Sequence, residues 1–451
     1  MKEKFLKALQ DKDFSELLKG SSISFLLRFG GLAVGYILTL VIANLFGAKG
    51  LGDYVLAIIV LRLFTLFAKL GLDTASIRFL AAFASQNKWT SIVYLKKQFV
   101  LILSVTSVIA SLLMYFLAEP IAGLIGTQYA YIQLNAFFIL PLVFFMLHYQ
   151  SLRGLKRIAE FSFFYGISQT LFTIIVIFII YQFYTFSDVP VYAYVVSIII
   201  VSVMSYFSYK YWLRKKSSGI KSAEFEVMSY KKLLQISIPL MFAQSVQFIM
   251  IWTDKLMLGA MTTSEQVGIY HTAFKLSMFA AVALMSINSI ASPKFAEMYS
   301  KNDMEGLKRV VHQSTKMILW TSIPLVIIFF MYPKFFLGMF GKEFEVGVMA
   351  FIFLSFGRLI SSFSGSVGNI LQMTGNQVVY MNILFIGAIL NILLNFLLIP
   401  ASSPLSKFGI FGINGAAIAS MSSLIFWNLS MVLVVKKKFG FYTFYIPFIK
   451  R

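Results

Sequence analysis

No cysteine occurs among the 451 residues, which excludes disulfides, thiol nucleophiles and cysteine-held metal. Charge is scarce as well: 13% of the residues are charged, against about 25% in soluble domains. Acidic residues are the scarcest, 18 against 39 Lys and Arg, leaving a net charge of +21. The only histidines, His148, His271 and His312, lie far apart and form no paired metal-ligand spacing, so packing or interfacial roles are expected. Outer loops are short. The longest, near Tyr332 to Glu345, has roughly a dozen residues and no catalytic-looking cluster.

What fills the chain instead is apolar: 59% hydrophobic, with 48 Phe. Such a chain cannot hide its apolar surface in water and reads as an all-α integral membrane protein. In a soluble protein, +21 would suggest nucleic acid. Without a soluble domain it reads as positive-inside topology and contact with anionic lipid head groups, with no nucleic-acid partner. The first residues are polar and lysine-rich, so no cleavable signal peptide is expected. Within them Leu6, Leu9, Phe14, Leu17 and Leu18 line one side of a short interfacial helix, or else belong to a frayed basic tail.

About twelve stretches are long enough to span, centred near Val34, Leu61, Thr106, Phe138, Val176, Ile198, Phe248, Ala280, Pro324, Ile360, Leu390 and Leu424. Assigning the connections to sides puts 28 Lys and Arg on one face, and only Lys49, Lys334, Lys342 and Lys407 on the other. The rule for such asymmetry places both termini in the cytoplasm. The expected divisions are a basic N-terminal segment at 1–21, a six-helix bundle at 22–213 and a cytoplasmic linker at 214–232. A second six-helix bundle at 233–438 and a cytoplasmic tail at 439–451 complete the chain.

An internal repeat joins the halves. "GDYVLAIIV" at Gly52 and "GIYHTAFKL" at Gly268 echo each other, as do "ASIRFLA" at Ala75 and "ASPKFAE" at Ala291. A single offset of 216 pairs Gly52 with Gly268, Tyr54 with Tyr270, Ala57 with Ala273, Arg78 with Lys294 and Phe79 with Phe295. Six spans per half give both halves the same orientation, and parallel repeats suit alternating access between two bundles.

"FGAKGLGDYVLA", "LGLDTASIRFLA", "WTDKLMLG…VGIYHTAFKL" and "SPKFAEMY" resemble the polysaccharide and oligosaccharide-lipid flippases of the multidrug/oligosaccharidyl-lipid/polysaccharide exporter superfamily. The resemblance extends over nearly the whole chain. It implies two bundles around a V-shaped central cavity and translocation of a polyprenyl-diphosphate-linked oligosaccharide for cell-surface polysaccharide biosynthesis. It also implies membrane lipids and other polysaccharide-assembly proteins as partners, and a bacterial cytoplasmic (inner) membrane as the location. One departure is "TGNQ" at Thr374, where such flippases often carry a basic residue in that inner loop.

Charges inside spans are the candidate site, because an ionisable group near the bilayer centre costs roughly 2.5–3.5 kcal/mol and faces a cavity or a partner. The stretch Arg62 to Phe79 reads as one helix with Arg62, Lys69 and Asp73 on one face at i, i+7 and i+11. Arg62 then lies about 12 Å into the membrane and Lys69 about 22 Å, with Asp73 at about 28 Å. Arg28, Lys255, Lys275 and Arg358 add further cations, against the acids Asp73 and Asp254. The surplus is positive, and a lipid diphosphate supplies the missing negative charge, bound by the bidentate Arg fork or by Lys as a point charge. The substrate-binding set is Arg62, Arg358, Arg28 and Lys69. Asp73, Asp254, Lys255 and Lys275 serve either ion coupling or structural salt bridges, with Lys69–Asp73 placed for an i, i+4 pair. No catalytic residue, metal ligand or cofactor is expected; coupling to a proton or sodium gradient would run through one of the two acids. Two other functions fit parts of the pattern. One is a cation-coupled multidrug exporter on the same architecture, which needs an acidic cavity. The other is a membrane enzyme acting on polyprenyl-linked sugars, which needs larger outer loops.

Overall fold

The computed structural model describes residues 12–219 and 225–444, with side chains at Leu27 and from Phe29 onward. The side chains of Leu6, Leu9, Phe14, Leu17, Leu18 and Arg28 lie outside the described residues. Every long element among the described residues is a helix, and no strand occurs there. In chain order the principal helices begin with α1 Lys12–Ala68, α2 Leu72–Ser85, α3 Trp89–Phe116, α4 Tyr129–Ala136, α5 Ile139–Gly154 and α6 Ile158–Tyr181. They continue with α7 Val189–Ser217, α8 Tyr230–Met261, α9 Ser264–Ser277, α10 Val282–Ser300 and α11 Met304–Met331. The last four are α12 Val348–Ser364, α13 Val367–Met373, α14 Gln377–Leu398 and α15 Gly412–Phe439.

Among the described residues ten helices are long and apolar enough to cross a membrane, or eleven when α4 and α5, bent by 54°, count as one span. The twelfth expected span is hidden inside α1. Its apolar part, Phe29–Ala68, has 40 residues. That is roughly 60 Å of helix, twice the hydrocarbon thickness. The chain divides it at Gly47, whose φ of 70° and ψ of −177° suit glycine alone. The second half then starts with an exposed backbone donor, and Glu343 satisfies it: Ala48 N–H donates to Glu343 Oε1 at 2.6 Å.

The chain forms two compact units. The first comprises Met1–Ile42, Ala57–Gly123 and Thr127–Ser245; the second comprises Ala43–Leu56, Leu124–Gly126 and Val246–Arg451. The boundary falls within α8, not within the 214–232 segment. The end of that segment is tied to α3 of its own unit, where Lys88 pairs with Glu226 at 2.6 Å and Gln98 donates to the Met228 carbonyl at 2.8 Å. The lysine beside it draws the exposed Glu226 carboxyl below its ordinary pKa.

One expectation fails here. Arg62 to Phe79 is not a single helix: α1 stops at Ala68 and α2 starts at Leu72, with Leu70 and Gly71 at φ 47° and 72°. The cause is a close approach from a distant segment. A methyl group on Gly71 would overlap the Ser237 carbonyl oxygen and stand 2.8 Å from the Met241 nitrogen. Gly71 therefore lets α8 pack against the chain, and the left-handed turn follows from it. Arg62, Lys69 and Asp73 accordingly do not share one helix face.

The repeat is visible in the burial pattern. Phe79 and its counterpart Phe295 are buried, while Arg78 and Lys294 are exposed. It is visible also in a reciprocal contact inside the second unit. A methyl on Gly52 would overlap the Ser264 carbonyl oxygen and lie 3.2 Å from Gly268 N. A methyl on Gly268 would overlap the Ala48 carbonyl oxygen and lie 3.0 Å from Gly52 N. Ala48 and Ser264 are themselves separated by the 216-residue offset. Segments 48–56 and 264–272 thus meet as two copies meet across a two-fold axis, each offering the same glycine. A similar close approach occurs in the first unit, where Gly31 abuts the Gly166 carbonyl within α6.

Candidate functional site

In the first unit, Lys69 and Asp73 pair at 2.9 Å, both buried. The helix break leaves their separation intact because the chain turns between them. Lys69 also donates to Gln244, whose amide in turn donates to Thr74 Oγ1 at 3.0 Å. Lys69 is therefore held by Asp73 and Gln244, and Asp73 Oδ1 is buried without a hydrogen-bond partner among the described residues. Arg62, on the last turns of α1, is half-buried and donates to the Tyr194 hydroxyl at 3.3 Å.

The second unit holds Asp254, Lys255, Lys275 and Arg358. Asp254 forms no ion pair among the described residues. Its carboxylate is 3% exposed and is surrounded by neutral donors. Oδ1 accepts from Asn391 Nδ2 at 2.9 Å and from Asn395 Nδ2 at 2.7 Å. Oδ2 accepts from the Tyr270 hydroxyl at 2.6 Å and from Ser420. Four donors come from three helices: Tyr270 from α9, both asparagines from α14 and Ser420 from α15.

Lys255, next in sequence, turns away from the carboxylate. Its ammonium donates to the Ile251 carbonyl at 3.0 Å and sits 4.0 Å from the centre of the Phe274 ring. Arg358 is near the same ring, at 5.5 Å. Phe274 thus collects two cations on its π system. Among the described residues no carboxylate pairs with Lys255 or Arg358, so the positive surplus read from the sequence persists in this unit.

Asn391 and Asn395 are not among the residues that the sequence patterns above single out. Their i, i+4 spacing was the available signal, since it puts both amides on one face. Ser420 carried no signal. His148 approaches Ser205 at 3.5 Å and stacks on Tyr209, and His312 meets the Tyr442 carbonyl at 2.7 Å; both serve packing. The inner loop at Thr374 lacks its own cation, yet Lys438 from the end of α15 donates to Asn376 there.

An internal repeat and helices long enough to span describe a multi-pass membrane protein, and the family matches place it among the transporters of the multidrug/oligosaccharidyl-lipid/polysaccharide exporter superfamily. Within it, the chain belongs to the polysaccharide biosynthesis protein family, whose model matches residues 17–299. The MatE family model matches residues 239–397. A probable low-salt glycan biosynthesis flippase, Agl15 of Haloferax volcanii, is 25% identical over 173 residues, which span 38% of this chain and 35% of that protein. An uncharacterized membrane protein of Methanocaldococcus jannaschii, MJ1068, is 24% identical over 434 residues, 90% of this chain and 81% of the relative. Among solved structures, the lipid II flippase MurJ in an inward closed conformation superposes with a TM-score of 0.66 at 16% identity, over 92% of this chain and 88% of that one. An outward-facing multidrug resistance MATE family transporter superposes with a TM-score of 0.59 at 15% identity, over 94% and 96% of the two chains. These structural similarities establish the fold.

Proposed function

We propose that this transporter moves a polyprenyl-diphosphate-linked oligosaccharide across the cytoplasmic membrane by alternating access, for cell-surface polysaccharide biosynthesis. The observation that carries the reading is the buried positive surplus. Arg358 lies at the wall of a cavity and has no carboxylate partner among the described residues. Arg62 is a half-buried guanidinium within a span. A diphosphate offers the charge and the geometry that an Arg fork binds. The polysaccharide-biosynthesis family and the Agl15 flippase support the same substrate class, and they support transport over polymerisation or ligation. Both termini are assigned to the cytoplasm from the Lys and Arg asymmetry. Both curated relatives are archaeal, so the reading extends to the cytoplasmic membrane without restriction to bacteria.

Coupling to a proton or sodium gradient is assigned to Asp254. Asp73 is already held by Lys69. Among the described residues Asp254 is hydrogen-bonded only to neutral groups, and beside it Asn395 Oδ1 is a buried acceptor with no partner. A proton on the carboxylate, or a cation among these oxygens, would break no ion pair among the described residues.

The test is translocation of a lipid-linked sugar in proteoliposomes. Arg62→Ala and Arg358→Ala should each slow it about tenfold or more, the loss of a charged hydrogen bond. Wild-type rates in both variants would remove both proposed anion contacts, the one in each unit. A second reading, a cation-coupled multidrug exporter, is favoured by the MatE match over residues 239–397. It requires tight binding of cationic dyes, which the positive interior should prevent.

A further inference from the structure

The second unit contains a cavity of about 310 Å³, within the roughly 300–1,000 Å³ range of small-molecule sites. Its wall includes Asn288 of α10, Arg358 of α12, Ser366 beside α13, Asn369 and Gln372 of α13, and Trp427 of α15. No Asp or Glu is among the lining residues. Two of the polar groups are not satisfied by the described residues: Asn288 Oδ1 and Ser366 Oγ are both buried with no hydrogen-bond partner among them. Ser366 is 1% exposed. Native interiors leave few such groups, and each calls for an explanation.

We propose that this cavity is a glycan subsite, taking an uncharged pyranose of the lipid-linked substrate, N-acetylated or not. The assignment rests on the flippase reading above and specifies which part of that substrate the second unit holds. Three observations converge on a sugar. Carboxamides and hydroxyls both give and accept hydrogen bonds, as sugar hydroxyls and acetamido groups do. Asn369 spends its amide on Ser292 Oγ at 2.9 Å and Gln372 on the Gly368 carbonyl at 3.3 Å, so their carbonyl oxygens remain to accept from sugar hydroxyls. The orphaned Asn288 Oδ1 is a third acceptor of the same kind.

The aromatic wall fits the other side of a pyranose, the face made of C–H bonds, which the negative face of an indole attracts. Trp427 is fixed for this by Gly387, where a methyl group would come within 2.9 Å of its ring. Arg358 completes the arrangement. It places one cation at the wall of an otherwise neutral cavity, where the phosphate joined to the sugar would lie. The absence of acidic groups from the lining argues against a cationic drug as the occupant.

The experiment compares two probes on the purified full-length protein, farnesyl diphosphate and farnesyl diphosphate carrying one N-acetylglucosamine. Trp427→Ala and Asn288→Leu should each weaken the sugar-bearing probe about tenfold and leave the sugar-free probe within about twofold. Trp427→Phe should recover most of the loss. Asn288→Leu alters a different helix, so the outcome does not depend on one substitution folding. Equal affinity of the wild type for both probes, or equal losses for both, would overturn the subsite and leave the flippase reading standing. Failure of the wild type to bind either probe would remove the flippase reading and the subsite with it.

Discussion

Replacing Asp254 by alanine should unfold the second unit far more readily than any surface substitution, and replacing it by asparagine should abolish gradient-driven transport. Both effects follow from the same four hydrogen bonds. Alanine leaves Asn391 and Ser420 without their acceptor inside a helical core, and leaves Tyr270 and Asn395 only the longer contacts to Ser420 at 3.4 Å and Asn391 at 3.2 Å. Each buried orphan costs about 1–3 kcal/mol, and breaking a buried charged network typically costs about 3–5 kcal/mol. Asparagine keeps the size and the contacts, its amide oxygen accepting from Asn391 and Asn395 while its NH₂ donates to the Tyr270 and Ser420 hydroxyls. It also removes the titratable or cation-binding charge. Thermal unfolding in detergent and translocation with and without an imposed gradient separate the two effects. If both variants melt with the wild type and respond to the gradient as it does, Asp254 has neither role.

A methyl group at either repeat-related glycine should destabilise the protein, and the double substitution should cost less than the sum. Gly52→Ala and Gly268→Ala each drive a methyl into the backbone of the facing segment, at Ser264 or Ala48. Overpacking of this kind costs about 1–3 kcal/mol. Helix backbones at such a contact cannot yield separately: moving apart to admit one methyl makes room for the other. Coupled sites of this type depart from additivity by about 0.5–3 kcal/mol. Melting of the two single variants and the double variant measures the coupling, and strict additivity would mean the two glycines do not share one contact.

The span count and the repeat were legible because both rest on local patterns: apolar runs of bilayer length, and a fixed offset between similar words. Even the division of α1 at Gly47 could be anticipated, since no single span runs for 40 residues. The Lys69–Asp73 pair was legible from i, i+4 spacing, although the helix that spacing assumed is interrupted. What could not be read was whatever depended on a distant segment. The turn at Leu70 and Gly71 is imposed by the Ser237 backbone, more than 160 residues away in sequence. The choice of Asn391, Asn395 and Ser420 over Lys255 as partners of Asp254 is a property of how α8, α14 and α15 pack. Adjacency in sequence favoured the lysine, but neighbours at i and i+1 point to different sides of a helix.

The Gly52–Gly268 contact has a bearing on ancestry. A chain of half this length, with six spans, would begin and end on the same face of the membrane. Two copies would insert in the same orientation, and the symmetry axis of their dimer would stand along the membrane normal. Such a dimer needs a patch that recognises itself, and a single glycine on one helix, meeting its own copy, is a minimal patch of that kind. Fusing the two copies end to end would require no inversion, only a connecting segment on the side where the first ends and the second begins. Freed from identity, one half could then acquire what the other lacks: carried back by the 216-residue offset, the position of Asp254 falls on Leu38.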